Sequence, residues 1–261
     1  MIKNKTTGLI LEPFFQPIIN VENGLIAYNE VLARIKNNKN NYISAGSIFS
    51  SENLPIDKRI CFDKQVRNKA LEKFKTYDGN ARLSINISPS WFSLHAPHLQ
   101  LKSYEVPTLS MLKECGIDPS RIIIELTEYD GDKDLINHFV RSYREMGIQV
   151  AIDDFGTGFS QIERLLEIEP DIIKLDMALF QRSLVSNYTQ DLIEVFANFA
   201  KKRGIVLIFE GIETPQQYDV AVSSGAQFVQ GYLFSPARAK FYNDGYFVND
   251  IHSLNYSGIA V

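Results

Sequence analysis

From Arg121 onward, short aliphatic runs alternate with longer stretches of helical period, and nothing resembling a linker interrupts the alternation. RIIIEL (121–126), IQVAID (148–153), DIIKL (171–175), IVLIFE (205–210) and QFVQG (227–231) are apolar at neighbouring positions, which predicts strands buried on both faces. Helices must supply that cover. Leu135, Ile136, Phe139, Val140, Tyr143 and Met146 fall on one stripe at helical spacing, and Gly147 follows as a stop. Thr189 predicts the cap of a helix running to Lys201, Lys202 and Arg203, cations that suit a C-terminal dipole, before Gly204 ends it. Two capping boxes mark helix starts soon after strands end: Ser160 with Glu163, and Thr214 with Gln217 plus Pro215 at the first helical position.

The first half follows the same plan less cleanly. FFQPIIN (14–20) and GLIAYNEVLARI (24–35), joined through Val21 to Asn23, predict an antiparallel pair. A helix from Ile60 to Phe74 and a strand LSINIS (83–88) come next, and KNNKNN (36–41) reads as a solvated loop. About eight strands with helical crossovers point to an α/β fold, a (β/α)8 TIM-type barrel with one antiparallel strand near the N-terminus. An open doubly wound sheet is the alternative, weakened because no G-x-G-x-x-G turn follows the first strand. The 261 residues are read as a single domain, with a motif-bearing core at about 14–237 and a tail, 238–261, to which no function is assigned. No sensor, cyclase-like or output domain is expected within these 261 residues beside such a barrel.

Charge narrows the partners. Lys and Arg number 27 against 31 Asp and Glu, a net charge of −4, so no general basic field exists to hold a DNA or RNA polymer. Any phosphate-bearing ligand must be met locally. Cys61 and Cys115 stand far apart, which speaks against a disulfide framework or structural zinc, and His95, His98, His138 and His252 form no ligand pattern. The stretch from Gly8 to Leu11 is cut by Glu12 and Pro13, too short for a signal peptide, and no apolar run approaches the roughly 18 residues a membrane helix needs. The expectation is a cytoplasmic protein with no membrane contact.

The informative pattern is positional. Glu30, Asn86, Glu125, Asp153 with Asp154, Asp176 just beyond Lys174, Glu210 and Gln230 all lie at or near strand C-termini, and would converge on the mouth where barrel enzymes do chemistry. One strand-end acid is as readily a salt bridge or a helix cap; five together are not. Two carboxylates about 4 Å apart repel by about 4 kcal/mol at an effective dielectric of roughly 20, so the cluster must take up protons or bind cations. Oxygen donors without His or Cys favour Mg²⁺ or Mn²⁺ over zinc. An aspartate pair such as Asp153 and Asp154 can bridge two ions and hold the second, an arrangement suited to in-line attack on phosphorus. Lys174 is either the structural counter-ion of the acids or a group that orients water and stabilises phosphoryl charge, and the two roles are compatible.

In this order of blocks the chain resembles the EAL-domain family of cyclic di-GMP phosphodiesterases. NEVLAR (29–34) stands at the family's name motif, and LSINIS, IELTE (124–128), IDDFGTGFS (152–160), IIKLD (172–176), FEGIET (209–214) and VQGYLFS (229–235) follow in sequence order. The resemblance implies that Glu30, Asn86, Glu125 and Asp153 hold one divalent ion, Mg²⁺ or Mn²⁺, and that Asp153, Asp154 and Glu210 hold a second. It implies that Lys174 and Asp176 position the attacking water, so that Lys174, Glu30, Asp176 and Glu210 carry catalysis. Glu128 matches a glutamate that steadies the loop after Asp154. Gln16, Leu32, Arg34, Glu213, Gln230 and Pro236 match positions that hold the nucleotide. The implied reaction opens one phosphodiester of cyclic di-GMP to give linear pGpG, and a homodimer through the loop and helix after Asp154 is implied as well. No regulatory protein partner can be read.

Three departures stand out. Val31 replaces the central alanine of the name motif and Ala33 a larger apolar residue; strand alternation puts both behind Glu30, Leu32 and Arg34, so they repack. Phe159 replaces a common tyrosine and removes a hydroxyl from the loop. A cyclic di-GMP receptor or protein-interaction module without turnover is the main rival, but such relatives usually lack a ligand acid and none is missing here. An enolising lyase also pairs strand-end acids with lysine, yet does not explain the blocks around Asn86, Gly156 to Gly158 and Gln230. Ca²⁺, larger and looser in coordination than Mg²⁺, is expected to support binding while inhibiting hydrolysis.

Overall fold

At the N-terminus a tight turn reverses the chain. Asn20 Oδ1 accepts the backbone N–H groups of Glu22 (2.8 Å) and Asn23 (3.2 Å), and Gly24 adopts φ 68°, a conformation open to a residue without Cβ. The turn joins β1 (Leu11–Asn20) to β2 (Ile26–Lys36) in an antiparallel ladder that sets Gln16 opposite Glu30. The computed structural model describes residues 10–37, 41–49, 54–87, 107–127, 133–156 and 161–242.

The remaining elements are β3 (Tyr42–Ser44), α1 (Gly46–Phe49), α2 (Ile56–Lys75), β4 (Arg82–Ile87), α3 (Pro107–Cys115), β5 (Ile122–Leu126), α4 (Lys133–Glu145) and β6 (Gln149–Phe155). They are followed by α5 (Gln161–Ile168), β7 (Ile172–Leu175), α6 (Met177–Ser183), α7 (Asn187–Arg203), β8 (Val206–Phe209), α8 (Pro215–Ser223) and β9 (Phe228–Val229). Strands β2, β4, β5, β6, β7, β8 and β9 are parallel neighbours in that order. β1 closes the ring by pairing antiparallel with both β2 and β9, so eight strands form the barrel and β3 is an addition to one end of β2. The expected (β/α)8 architecture with its inverted first strand is therefore observed.

Strand alternation divides the apolar residues into two bodies. Ile18, Tyr28, Ile123, Ala151, Ile172 and Ile208 fill the barrel interior. A larger cluster, including Phe15, Leu83, Ile124, Val150, Ile173 and Phe209, lies between strands and helices. Two residues beyond each interior residue, on the same strand face, sits a polar one: Glu30 after Tyr28, Glu125 after Ile123, Asp153 after Ala151, Lys174 after Ile172 and Glu210 after Ile208. On the inverted β1 the order reverses, so Gln16 precedes Ile18.

Several local expectations need correction. Thr189 does not cap its helix; Ser186 does, with extended backbone and a hydroxyl that accepts the Thr189 N–H at 3.3 Å, and Thr189 is buried one turn inside α7. The end at Gly204 is as expected, in left-handed conformation. Thr214, Pro215 and Gln217 form the anticipated capping box, whereas Ser160 lies outside the described residues. Met146 falls just past α4 and is exposed, unlike Leu135, Phe139, Val140 and Tyr143. Lys36 belongs to β2 rather than to a loop, and Asn37 and Asn41 face each other through a backbone bond of 2.8 Å.

The described part of the tail is structural. Phe15 and Arg238 exchange both backbone hydrogen bonds (2.7 and 2.9 Å), and the Phe241 ring packs against Phe15 (3.8 Å between centroids), Tyr77 (4.7 Å) and Phe74 (5.7 Å). This cluster joins the tail to the outer face of β1, where α2, which carries Phe74, also packs. Among the described residues no helix is long and apolar enough to cross a membrane.

Candidate active site

At the mouth of the barrel, Lys174 Nζ sits amid four carboxylates, 2.7 Å from Glu210, 2.9 Å from Asp153 and 3.2 Å from both Glu30 and Glu125. The lysine is 1% exposed. Burial acts to lower its pKa, but the Asp153, Glu125, Glu210 and Glu30 charges outweigh that and hold it well above the ordinary lysine range. Neutral donors orient the acids: Gln230 Nε2 donates to Glu30 Oε2 (2.7 Å), Asn86 Nδ2 to Glu30 Oε1 (3.2 Å), and the Ser84 hydroxyl to Glu125 Oε1 (2.5 Å).

Asp153 and Asp154 are consecutive, so an ideal strand would point them to opposite faces. A register shift between Ile152 and Phe155 breaks the alternation, and Asp154 takes φ 52°, a left-handed conformation that aspartate tolerates better than most residues. Both carboxylates thereby line one cavity. Backbone strain of this kind costs about 1–3 kcal/mol and persists where the surrounding structure enforces it.

Five carboxylates against one ammonium leave the mouth short of positive charge. Burial first, then the Glu30 charge, pushes Glu125 well above the carboxylate range. Burial raises Glu210 to about 8. Asp154 rises to about 6, through burial and then the charge of Asp153. Cations would relieve this, and the donors fit them. Oxygen atoms of Glu30, Glu125 and Asp153 lie within 4.8 Å of one another, as do those of Asp153, Asp154 and Glu210. Opposite ligands of a Mg²⁺ ion stand about 4.2 Å apart, so each group matches one ion, with Asp153 common to both.

Around these acids is a cavity of about 490 Å³ lined also by Gln16, Leu32, Glu213, Gln230, Met177 and Tyr232. β9 and the segment after β8 approach closely there: a Cβ on Gly231 would lie 2.0 Å from the Ile212 carbonyl oxygen, and that contact lets Ile212 N–H bond to Gln230 O at 3.0 Å. The anticipated residues are thus largely together, with four exceptions. Asp176 does not line the cavity; its Oδ1 caps α6, accepting from Ala178 N–H (2.8 Å) and Leu179 N–H (3.3 Å). Arg34 is half-buried beside it, its guanidinium 6.0 Å from the Phe14 ring. Pro236 is exposed on the turn after Ser235. Glu128 lies outside the described residues.

Sequence reasoning missed Ser84, whose hydroxyl holds Glu125, although it occupies the interior face two residues before Asn86. It also missed Met177, the first residue of α6, and Tyr232, in the turn after β9, which line the cavity from positions where no periodicity marks a face.

The sequence model of the EAL domain matches residues 6–237. The uncharacterized EAL-domain containing protein YkuI of Bacillus subtilis is 28% identical over 231 residues, covering 86% of this chain and 54% of that protein. The cyclic di-GMP phosphodiesterase PdeL of Escherichia coli is 26% identical over 230 residues, covering 86% and 62%. The crystal structure of YkuI in complex with substrate c-di-GMP and calcium superposes with a TM-score of 0.78 at 25% identity, covering 90% of this chain and 57% of that one. This chain spans between half and two thirds of the length of those relatives.

Proposed function

We propose that this chain, which belongs to the EAL domain family, hydrolyses one phosphodiester of cyclic di-GMP to linear pGpG with two divalent ions. The observation that carries the reading is the pair of three-carboxylate groups sharing Asp153 at the mouth of one cavity. The name of PdeL and the ligands in the YkuI complex support the substrate class.

Glu30, Asn86, Glu125 and Asp153 would hold one ion, and Asp153, Asp154 and Glu210 the other. When bound, Mg²⁺ or Mn²⁺ would lower the pKa of water and stabilise the leaving oxygen. Lys174, fully charged, orients the attacking water and stabilises phosphoryl charge; Asp176, whose Oδ1 caps α6, would have to turn toward the cavity to share that role. Gln230 and Asn86 fix the carboxylate of Glu30 from opposite oxygens. Gln16, Leu32, Arg34, Glu213, Gln230 and Pro236 bind the nucleotide, and Glu128 supports the loop after Asp154. The reaction would take place in the cytoplasm. A homodimer would use the face after Asp154, where Ile162 (63% exposed) and Leu166 (68%) stand one turn apart on α5.

Product analysis tests this directly. Purified protein with Mg²⁺ or Mn²⁺ should convert cyclic di-GMP to pGpG, and Glu30→Ala or Asp153→Ala should abolish conversion. Tight binding of unchanged nucleotide over hours with either metal would identify a receptor instead.

A further inference from the structure

The nucleotide-facing Gln16 is not held by its own strand alone. Its Nε2 donates to the carbonyl oxygen of Ser235 at 3.2 Å, across the closure of the barrel. Ser235 is 3% exposed, and the turn it begins carries Pro236 into solvent and then Arg238 back onto Phe15, the neighbour of Gln16. One side chain from farther along the tail locks that turn. The Tyr242 hydroxyl donates to Pro236 O at 2.7 Å and also meets the Ser235 hydroxyl, while Arg238 lies 4.7 Å over the Tyr242 ring. Tyr242 is 5% exposed and lies beyond the last residue matched to the EAL domain.

We propose that Tyr242 is a positioning residue for the nucleotide: its hydroxyl fixes the Ser235–Pro236 turn, and the Ser235 carbonyl in turn sets the amide of Gln16 in the cavity. The inference rests on the proposed phosphodiesterase reading and deepens it, because it makes the tail part of the substrate site. A packing role alone would be carried by the ring, which Phe241, tilted against Phe15, already supplements. The hydroxyl has a separate task. Without it, Pro236 O keeps only the Ser235 hydroxyl, 3.1 Å away within the same turn, so the tie to the tail is lost, the turn gains freedom, and Gln16 spends part of its time in rotamers that do not face the ligand.

Tyr242→Phe keeps the ring and removes only the hydroxyl. Steady-state hydrolysis of cyclic di-GMP with Mn²⁺ should show KM raised about fivefold and kcat altered less than about twofold, the scale of one buried hydrogen bond. In a Gln16→Ala background the same substitution should change KM by less than about 1.5-fold, since residues that act through one another are not additive. In nucleotide-free protein, the Gln16 side-chain amide resonance should move toward the position of free glutamine in Tyr242→Phe. An unchanged KM, an equal KM increase in both backgrounds, or an unmoved Gln16 resonance overturns the inference. Wild-type protein that neither binds nor hydrolyses cyclic di-GMP would overturn the functional reading instead, while the resonance would still decide whether Tyr242 sets Gln16.

Discussion

The metal-free protein should lose stability as pH rises through neutrality, and Glu210 should be a main cause. Its carboxyl would titrate near 4.5 in an unfolded chain and titrates at about 8 in the fold, because burial opposes its charge. Below about 4.5 it is protonated in both states and its contribution is fully present. As pH climbs toward 8, the unfolded chain releases the proton first, and the contribution is lost. The difference corresponds to at most about 5 kcal/mol, which for a domain of this size is about 10–20 °C in melting temperature. Glu210→Gln retains the shape without the titration. Thermal denaturation of both proteins in EDTA, from about pH 5 to about pH 8.5, should show the wild type falling relative to the variant. Saturating Mn²⁺ should flatten the wild-type curve, since a cation bound only by the folded state stabilises it by mass action. Parallel curves for the two proteins in EDTA would refute the reasoning.

Other outcomes follow from individual contacts. Lys174→Met removes the common partner of four buried carboxylates, so metal-free protein at pH 8 should lose about 3–5 kcal/mol in urea denaturation, with partial recovery on Mn²⁺ addition; an unchanged midpoint would contradict the ion-pair geometry. Gly231→Ala forces a methyl into the Ile212 backbone and should cost about 1–3 kcal/mol while weakening nucleotide binding through Gln230, measurable by calorimetry. Thr214→Ala breaks the capping box of α8 and should cost about 1 kcal/mol with hydrolysis intact. Ca²⁺ should sustain nucleotide binding and impair turnover relative to Mn²⁺; equal rates with Ca²⁺, Mg²⁺ and Mn²⁺ would count against the coordination argued here.

Much of the site is legible in the sequence because strand geometry is periodic. Once the strands at 121–126, 148–153, 171–175 and 205–210 are recognised, the charged residue near each C-terminal end has to share a mouth, and Glu125, Asp153, Lys174 and Glu210 do. What could not be read depends on deviations from the period or on distant closure. The inward turn of Asp154 needs the register shift beside it, which no residue pattern announces. Gln16 enters from a strand of opposite direction, so its place in the middle of β1, before Ile18 and not after it, breaks the strand-end rule and only the resemblance identified it. The dispensable look of the tail came from its mixed composition. Its aromatic residues have no partner until Phe15, Phe74 and Tyr77 are brought together from separate elements.

The layering also explains how so acidic a mouth can coexist with a stable fold. Cations would be needed only at the mouth, because the apolar layers that close the barrel, Ile18 to Ile208 inside and the larger cluster outside, involve none of the proposed ligands. Lys174 reaches four of the five carboxylates at 2.7–3.2 Å, enough to hold them in place before any ion arrives. Glu210 and Asp154, raised to about 8 and about 6, take up the remaining strain as protons. Metal binding would then be an exchange at a folded site, in which divalent charge displaces protons, rather than the event that folds the chain, as it is for small zinc domains. Such a site gains affinity for its ions as pH rises, over the same interval in which the metal-free protein loses stability.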